Sequence, residues 1–248
     1  MEHPLGRMWK EAWFNKLGGN ITDAAYLEAL YDSEIRFCDD GIGKLLKTVE
    51  SLKGAEDTLV ILTSDHGELL FRHKVFFDHH GLYDGTLHVP LIMRHPGFAA
   101  KRVPHLVAHV DLAPTILDLC GIAVPDAMEG SSLAPMLRDA DAPPIRDCVV
   151  SQECTWQMKW SLRTHTHKFI LAREEDFYHT PARELYDLDA DPRELRNIAD
   201  EEPDTARAME SKLESWIARK MAKNGLTQDP LVSHGITLGK AWKDEQHR

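Results

Sequence analysis

The amino-acid sequence predicts an α/β fold: a partial, mostly parallel sheet with flanking helices, followed by a small antiparallel sheet packed on a C-terminal helix. The first observation is an amphipathic helical pattern over 22–50 that leads into an unbroken apolar run at 58–63. Such a run is typical of a strand buried on both faces of a parallel sheet. The second observation is a series of short strand-like runs after Pro143, and the third is a helical apolar stripe after Pro203.

Changes of pattern divide the chain into three parts. Residues 1–142 are predicted to form part of an α/β core, 143–223 a small α+β subdomain, and 224–248 an irregular tail. Residues 1–21 show no period and are predicted to be a loop. The first helix is therefore expected to begin at Thr22-Asp23, which supplies a capping hydroxyl and an acidic first turn.

Local signals place the other elements of the core. A further strand is predicted at 87–93, and Pro90 inside it indicates an edge, a bulge or an unpaired position. A helix is predicted at 111–121, with Asp111 as its capping residue. Cys38 and Cys120 fall on apolar helix faces, so both thiols are expected in the core.

The subdomain is predicted to consist of four strands and one helix. The strand-like runs are 147–153, 156–163, 168–172 and 184–188. In the second run, apolar side chains occupy even positions and polar side chains odd positions, which predicts a half-buried antiparallel strand. The helix that Pro203 opens carries the apolar stripe Met209, Leu213, Ile217 and Met221.

The composition excludes several classes of protein. The chain has 248 residues, 43% of them hydrophobic, and a formal net charge of −11. This charge argues against nucleic acid as a partner, because binding to phosphates requires a basic surface. No apolar run approaches the ~20 residues of a membrane helix, and the N-terminus has no apolar signal-peptide segment. A soluble protein without a membrane partner is expected, and its four scattered cysteines do not form a disulfide framework.

The strand at 58–63 ends at Asp65-His66-Gly67. In open α/β sheets, ligands bind just beyond the carboxyl ends of the strands. An adjacent carboxylate and imidazole at that place predict half of a metal site. The alternative is a polar turn, where Asp and Gly are common.

Histidines are concentrated in the segment that follows. His73, His79 and His80 lie within eight residues, and Lys74 adds a cation. One histidine here would be read as surface decoration. Three beside a candidate metal site favour a role in binding.

These motifs resemble the sulfatase family of the alkaline-phosphatase superfamily. The likeness includes the Val-Pro-Leu strand at 89–91 and the segment 184–199, whose Asp-Pro-Arg-Glu-Leu-Arg-Asn motif is specific for the family. It covers roughly 26–221 and only the C-terminal part of a family member. The resemblance implies an alkaline-phosphatase-like core.

The resemblance also implies roles for the site residues. Asp65 and His66 match the pair that ligates a divalent cation, for which the family implies Ca²⁺, with Mn²⁺ or Zn²⁺ left open. His79 stands four places before Tyr83, where the family usually has a lysine, and would bind the sulfate or protonate the leaving oxygen as a catalytic residue. Shifting the alignment by one residue gives His80, and Lys74 is a further candidate for substrate binding.

The activity that the resemblance implies is sulfuric ester hydrolysis on a small-molecule or glycan sulfate ester. Yet the sequence contains no Cys-x-Pro-x-Arg or Ser-x-Pro-x-Arg element, whose first residue is the family's nucleophile. The chain is therefore expected to hold the second half of an active site, with an N-terminal sulfatase half or a second copy of itself as partner. A phosphonate or phosphodiester hydrolase and a non-catalytic truncated module remain alternatives.

Overall fold

The computed structural model describes residues 24–75, 78–139, 141–176 and 178–235, together with residue 11. The chain forms two compact units, which we name the first unit (1–79 and 88–97) and the second unit (80–87 and 98–248). This division differs from the predicted boundary near 142, because 98–139 group with the C-terminal sheet. The predicted loop at 1–21 and the helix start at Thr22-Asp23 lie outside the described residues, residue 11 excepted.

The first unit contains helix α1 (Ala24–Ser51) and strands β1 (Val60–Thr63) and β2 (Leu91–Arg94). The α/β class is as predicted, but β1 and β2 pair antiparallel, with Val60 opposite Arg94 and Thr63 opposite Leu91. A parallel neighbour requires a long crossover, usually a helix. Among its described residues, which leave out 76 and 77, the connection 64–90 contains one helix, the one-turn α2 (Asp84–Leu87). Pro90 directly precedes β2 instead of interrupting it.

Helix α1 runs through Gly41 and Gly43 without a break. Several of its large apolar side chains are exposed: Tyr26, Leu30, Tyr31, Ile35, Phe37 and Leu45. Cys38 and Cys120 are also exposed, so the expectation of two core thiols was wrong. Periodicity identifies the apolar side of a helix but not what covers it. None of the described helices is long and apolar enough to cross a membrane.

The second unit is built on a four-stranded antiparallel sheet. Its strands, in spatial and sequence order, are β3 (Val149–Glu153), β4 (Lys159–Arg163), β5 (His167–Ala172) and β6 (Arg183–Asp187). Its longer helices are α3 (Leu112–Leu119) and α5 (Pro203–Lys223), and its shorter ones are α2, α4 (Ala134–Arg138) and α6 (Pro230–His234). Helix α6 falls within the predicted irregular tail, of which 236–248 lie outside the described residues.

One face of this sheet packs against α5. The stripe predicted for α5 is confirmed, since Met209, Leu213 and Ile217 are buried in the main apolar cluster and Met221 packs against it. The same cluster contains alternate residues of β4 and β5, among them Trp160, Leu162, Phe169 and Leu171. Burial of these side chains is the main favourable contribution to folding of the second unit.

The opposite face of the sheet is buried as well, which the sequence did not predict. Lys159 and Lys168 are 1% and 0% exposed, although Lys159 occupies the face of β4 that was expected to be solvated. Lys159 Nζ lies 2.8 Å from Asp176 Oδ2 and 2.9 Å from Glu184 Oε1. These contacts compensate a buried ammonium group, which alternation of residue types in β4 could not reveal.

Lys168 has a matching set of partners. It forms ion pairs with Asp84 and with Glu194, the latter at 2.8 Å, and Arg163 Nε lies 3.2 Å from Asp84. Burial alone would raise the pKa of Asp84, but Lys168 and Arg163 hold it below its usual value. The family motif at 191–197 thus contributes a structural carboxylate, Glu194.

Asp111 precedes α3, but its side chain makes no capping hydrogen bond to that helix. Its buried carboxylate pairs with Arg146 and accepts backbone hydrogen bonds from Ala108 and Ser131 at 2.8 and 2.9 Å. Burial would raise the pKa of Asp111, but these donors keep it below its ordinary value. Asp111 therefore joins three separate segments of the second unit.

We predict that Lys168→Met lowers the free energy of unfolding by about 3–5 kcal/mol, because it leaves Asp84 and Glu194 buried beside each other without their shared cation. Urea denaturation would measure the change. The matched control is Lys212→Met, which removes an exposed ion pair with Asp147 and should cost less than about 1 kcal/mol. Equal effects of the two substitutions would contradict the importance of the buried pair.

We also predict that Asp111 makes stability depend on acid pH. Its folded-state pKa is lowered, so its contribution is present above the unfolded-state pKa and is lost as the pH falls through the folded value. Asp111→Asn should be less stable by about 3 kcal/mol at pH 7 and should lose less stability than the wild type between pH 5 and pH 3 (on the order of the carboxyl pKa range). Parallel pH profiles of unfolding would argue against this role.

Candidate active site

The candidate site begins two residues beyond β1. The Asp65 carboxylate is 84% exposed, and its Oδ1 accepts a hydrogen bond from the His66 backbone N–H at 3.0 Å. This bond and the nearby His66 ring hold the pKa of Asp65 below its usual value. Asp65 Oδ2 lies 3.6 Å from His66 Nε2, so an anionic oxygen and an imidazole nitrogen are presented together.

The next segment is a loop closed by an isolated antiparallel bridge. Leu69 and Asp78 exchange two backbone hydrogen bonds, at 3.0 and 3.3 Å. Val75 is fully buried and anchors the loop. His73 and Lys74 form its turn with left-handed φ angles of 57° and 63°. The predicted substrate ligand Lys74 therefore lies on an exposed turn at the far end of the loop from the bridge.

The bridge brings His79 back to the end of β1. The rings of His66 and His79 are stacked, with centroids 4.1 Å apart and an interplanar angle of 22°. Glu68 completes a group of three, because its carboxylate Oε2 lies 4.0 Å from His79 Nδ1. Of the residues proposed from the sequence, His66 and His79 are thus brought together beside Asp65.

His80 follows directly in the chain but belongs to the second unit. Its side chain is mostly buried, with Nδ1 3.6 Å from Glu153 Oε1 and its ring against the Trp156 ring at 6.1 Å. Burial would raise the pKa of Glu153, but His80 and the backbone N–H groups of Thr155 and Trp156 keep it low. The contacts of His80 with Glu153 and Trp156 lie within the second unit.

The segment after His80 is fixed by buried hydrogen bonds. Tyr83 Oη donates to Glu184 Oε2 at 2.7 Å, and Tyr186 Oη donates to the same oxygen at 2.7 Å. Burial and the Glu184 carboxylate raise the pKa of Tyr83, so the hydroxyl stays protonated. The backbone N–H of Asp84 donates to Glu194 at 2.6 Å. The Tyr83-Asp84 pair therefore anchors 80–87 to the sheet.

Two acidic residues of these clusters were missed from the sequence. Glu68 follows Asp65-His66-Gly67 directly, and its place opposite His79 could have been found only from the Leu69–Asp78 bridge. Glu153 lies at the end of β3, 73 positions from His80 in the printed sequence. No local pattern indicates such a long-range pair.

Comparison with known proteins identifies the class. The family model described as "N-sulphoglucosamine sulphohydrolase, C-terminal" matches residues 72–223, and the Sulfatase model matches 13–122. The chain belongs to the sulfatase family.

Individual relatives and solved structures are similar to this chain as well. Arylsulfatase K of Mus musculus is 34% identical over 206 residues, which cover 77% of this chain and 36% of that protein. A protein solved in complex with its substrate D-glucosamine-2-N,6-O-disulfate has a TM-score of 0.62 and 28% identity, covering 75% of this chain and 39% of its own. The phosphonate monoester hydrolase of Agrobacterium radiobacter has a TM-score of 0.68 and 27% identity, covering 79% and 42%.

These likenesses confirm the predicted fold class, that of the alkaline-phosphatase-like sulfatases. They also show the extent of the match. The chain spans 36% of the mouse and 42% of the human arylsulfatase K.

We predict that Tyr83→Phe lowers the free energy of unfolding by about 2 kcal/mol, because it removes a buried hydrogen bond to a carboxylate. Tyr26→Phe on the exposed part of α1 is the matched control, with an expected change within about 0.5 kcal/mol. Urea denaturation of both variants gives the comparison. A Tyr83 effect no larger than that of Tyr26 would show that this hydroxyl does not anchor the segment.

Proposed function

We propose that this chain supplies the cation-binding and leaving-group side of a sulfuric ester hydrolase site. The single observation that carries the proposal is the position of Asp65 and His66 just beyond β1, with the His79 ring stacked on His66 at 4.1 Å. Membership of the sulfatase family supports the same reaction class. Asp65 and His66 would hold the cation, and His79 would face the sulfate.

The residues fit the divalent cation that the family uses, though not equally well for every ion. Asp65 offers an exposed carboxylate, the oxygen donor that calcium prefers, whereas the imidazole of His66 suits manganese or zinc better. A bound cation would supply Lewis-acid polarisation of the ester. The lowered pKa of Asp65 is consistent with a carboxylate that stays ionised at neutral pH, as an ordinary aspartate does.

His79 would act on the sulfate or the leaving oxygen. Its Nδ1 is flanked by Asp78 Oδ1 at 3.7 Å and Glu68 Oε2 at 4.0 Å, so two carboxylates lie beside this imidazole. A protonated imidazole there could donate a hydrogen bond to a sulfate oxygen or a proton to the departing alkoxide. Lys74 and His80 remain weaker candidates for substrate binding, Lys74 on its exposed turn and His80 beside Glu153.

The proposed substrate is a sulfate ester of a glycan or a small molecule. Its support is the relative that was solved with a sulfated glucosamine as substrate. Because the chain carries a net charge of −11, the cation and the imidazoles would have to provide the local positive charge that an anionic ester requires.

We further propose that a second polypeptide segment completes the site. The sequence contains neither Cys-x-Pro-x-Arg nor Ser-x-Pro-x-Arg, so the nucleophile that performs covalent catalysis in this family would come from an N-terminal sulfatase half. The exposed apolar side chains of α1 and the 61% exposure of Ile92 on β2 support such a partner. A second copy of the chain would cover the same surface without supplying the nucleophile.

A phosphonate or phosphodiester hydrolase is the second candidate. The observation that favours it is the TM-score of 0.68 with the phosphonate monoester hydrolase. Both reactions would use the same cation ligands and an anionic tetrahedral centre, so substrate tests must separate them.

The proposal predicts that the chain alone does not turn over 4-nitrophenyl sulfate, and that it becomes active when co-expressed with an N-terminal sulfatase fragment bearing Cys-x-Pro-x-Arg. In the complemented enzyme, His79→Ala should lower kcat roughly 100- to 10,000-fold, and Asp65→Ala should do so through loss of the cation. His95→Ala, also in the first unit, is the matched control and should retain activity.

Four outcomes would contradict or redirect the proposal. Turnover by the chain alone would refute the incomplete site, and full activity of Asp65→Ala would refute the cation ligand. Activity only on a 4-nitrophenyl phosphodiester would select the second candidate. Silence of every complemented combination on both substrates, with a complex formed, would favour a non-catalytic module.

A further inference from the structure

Three side chains of the first unit present metal-binding atoms to one another. One ligand atom each from His66, Glu68 and His79 lies within 4.8 Å of the other two. This set shares His66 with the pair matched to the family's cation site, but it adds Glu68 and His79 and leaves out Asp65. Two imidazoles and one carboxylate form a donor set different from that of a calcium site.

The backbone explains why these three converge. Leu69 and Asp78 are opposite each other in an antiparallel bridge, so Glu68 and His79 are the next pair in register. Directly opposed side chains on paired strands have Cβ atoms about 4.5–5.5 Å apart. His66 is brought to the same place by the end of β1, and the buried Val75 keeps the loop closed.

His66 is already oriented as a metal-bound histidine would be. Its Nδ1 lies 2.8 Å from the carbonyl oxygen of Gly67, which can only accept, so Nδ1 carries the hydrogen. The Nε2 lone pair is therefore available. Metal-ligating histidines commonly donate their other ring N–H to a backbone carbonyl or carboxylate in this way.

The spacing requires only a small closure. Zinc–nitrogen and zinc–oxygen bonds of about 2.0–2.2 Å in a tetrahedron place ligand atoms about 3.4 Å apart. The three atoms lie within 4.8 Å before any ion is bound. Rotation of the partly exposed His66 and His79 side chains can supply the difference of about 1.4 Å without moving the backbone.

We propose that His66, Glu68 and His79 form a binding site for a transition-metal cation of the zinc type. Two neutral imidazoles and a carboxylate match the ligands of zinc sites that keep a fourth, open position. The proposal concerns binding and does not depend on sulfate-ester hydrolysis. A single ring nitrogen of His79 cannot bind a metal and contact a sulfate at the same time, so the two roles compete wherever they use the same nitrogen.

The test is titration of the chelator-treated full chain with ZnCl₂ and, separately, with CaCl₂, followed by calorimetry. We expect zinc to bind with one strong site and calcium to bind at least about 100-fold more weakly. Glu68→Gln and His79→Ala should each weaken zinc binding by at least about 100-fold, because loss of an outer-shell partner already costs roughly 10- to 100-fold. His95→Ala is the matched control and should bind as the wild type does.

Asp65→Asn distinguishes the two possible ligand sets. Retention of zinc affinity in Asp65→Asn, with loss in Glu68→Gln, supports the proposed set. Loss in Asp65→Asn with retention in Glu68→Gln assigns the ion to Asp65 and His66 and overturns the proposal. Wild-type affinity in all these variants would place zinc on other groups and overturn it too.

Circular dichroism of each variant verifies that it is folded. If an alanine variant fails to fold, the isosteric Glu68→Gln variant still tests the proposal. Because no substrate is present, a negative result leaves the sulfate-ester proposal standing.

Discussion

Neutralisation of two buried lysines is the constraint on which the second unit depends. An ammonium group without partners in the protein interior costs several kcal/mol, so Lys159 and Lys168 require carboxylates at close range. Those carboxylates come from four separate stretches of chain, at Asp84, Asp176, Glu184 and Glu194. The stretches of Asp84, Asp176 and Glu194 are therefore fixed against the face of the sheet that carries Glu184 of β6, and a shift of any of them would leave a charge uncompensated.

This constraint extends to the residues that follow the loop closed by the Leu69–Asp78 bridge. The segment 80–87 is held through Tyr83 and Asp84, both of which end in the network of buried charges. The loop between Leu69 and Asp78 lies in the first unit and depends on backbone hydrogen bonds. These are the bonds of the β1–β2 ladder and of the Leu69–Asp78 bridge. Within the first unit, backbone pairing therefore positions the candidate site.

Local pattern predicted much of this fold. The stripe of α5, the four strands of the small sheet and an Asp-His pair beyond β1 all follow from periodicity and turn chemistry within a few residues. Long-range features were missed for one shared reason. The direction of β2, the burial of Lys159 and the exposure of Cys38 depend on what packs against each element, which a period cannot encode.

The same limit applies to the site. Asp65, His66 and His79 could be named as candidates from the sequence because a strand end and a family motif indicate them. Glu68 and Glu153 depend on which backbone segments pair, and that is decided by hydrogen bonds such as those between Leu69 and Asp78. The donor chemistry of a site is therefore harder to derive than its position.

In the part of the chain that the structure describes, β1 and β2 pair only with each other. An isolated two-stranded ladder is marginally stable in water, whereas a four-stranded sheet with an apolar cluster persists. The first unit is therefore expected to open and close repeatedly while the second stays folded. A ligand of His66, Glu68 and His79 can then bind only while the first unit is closed. Its apparent affinity is reduced by the fraction of time that the unit spends closed. A strand or helix added against β1 and α1 would keep the first unit closed for more of the time. It would thereby raise the fraction of protein with ligand bound without contacting the ligand itself.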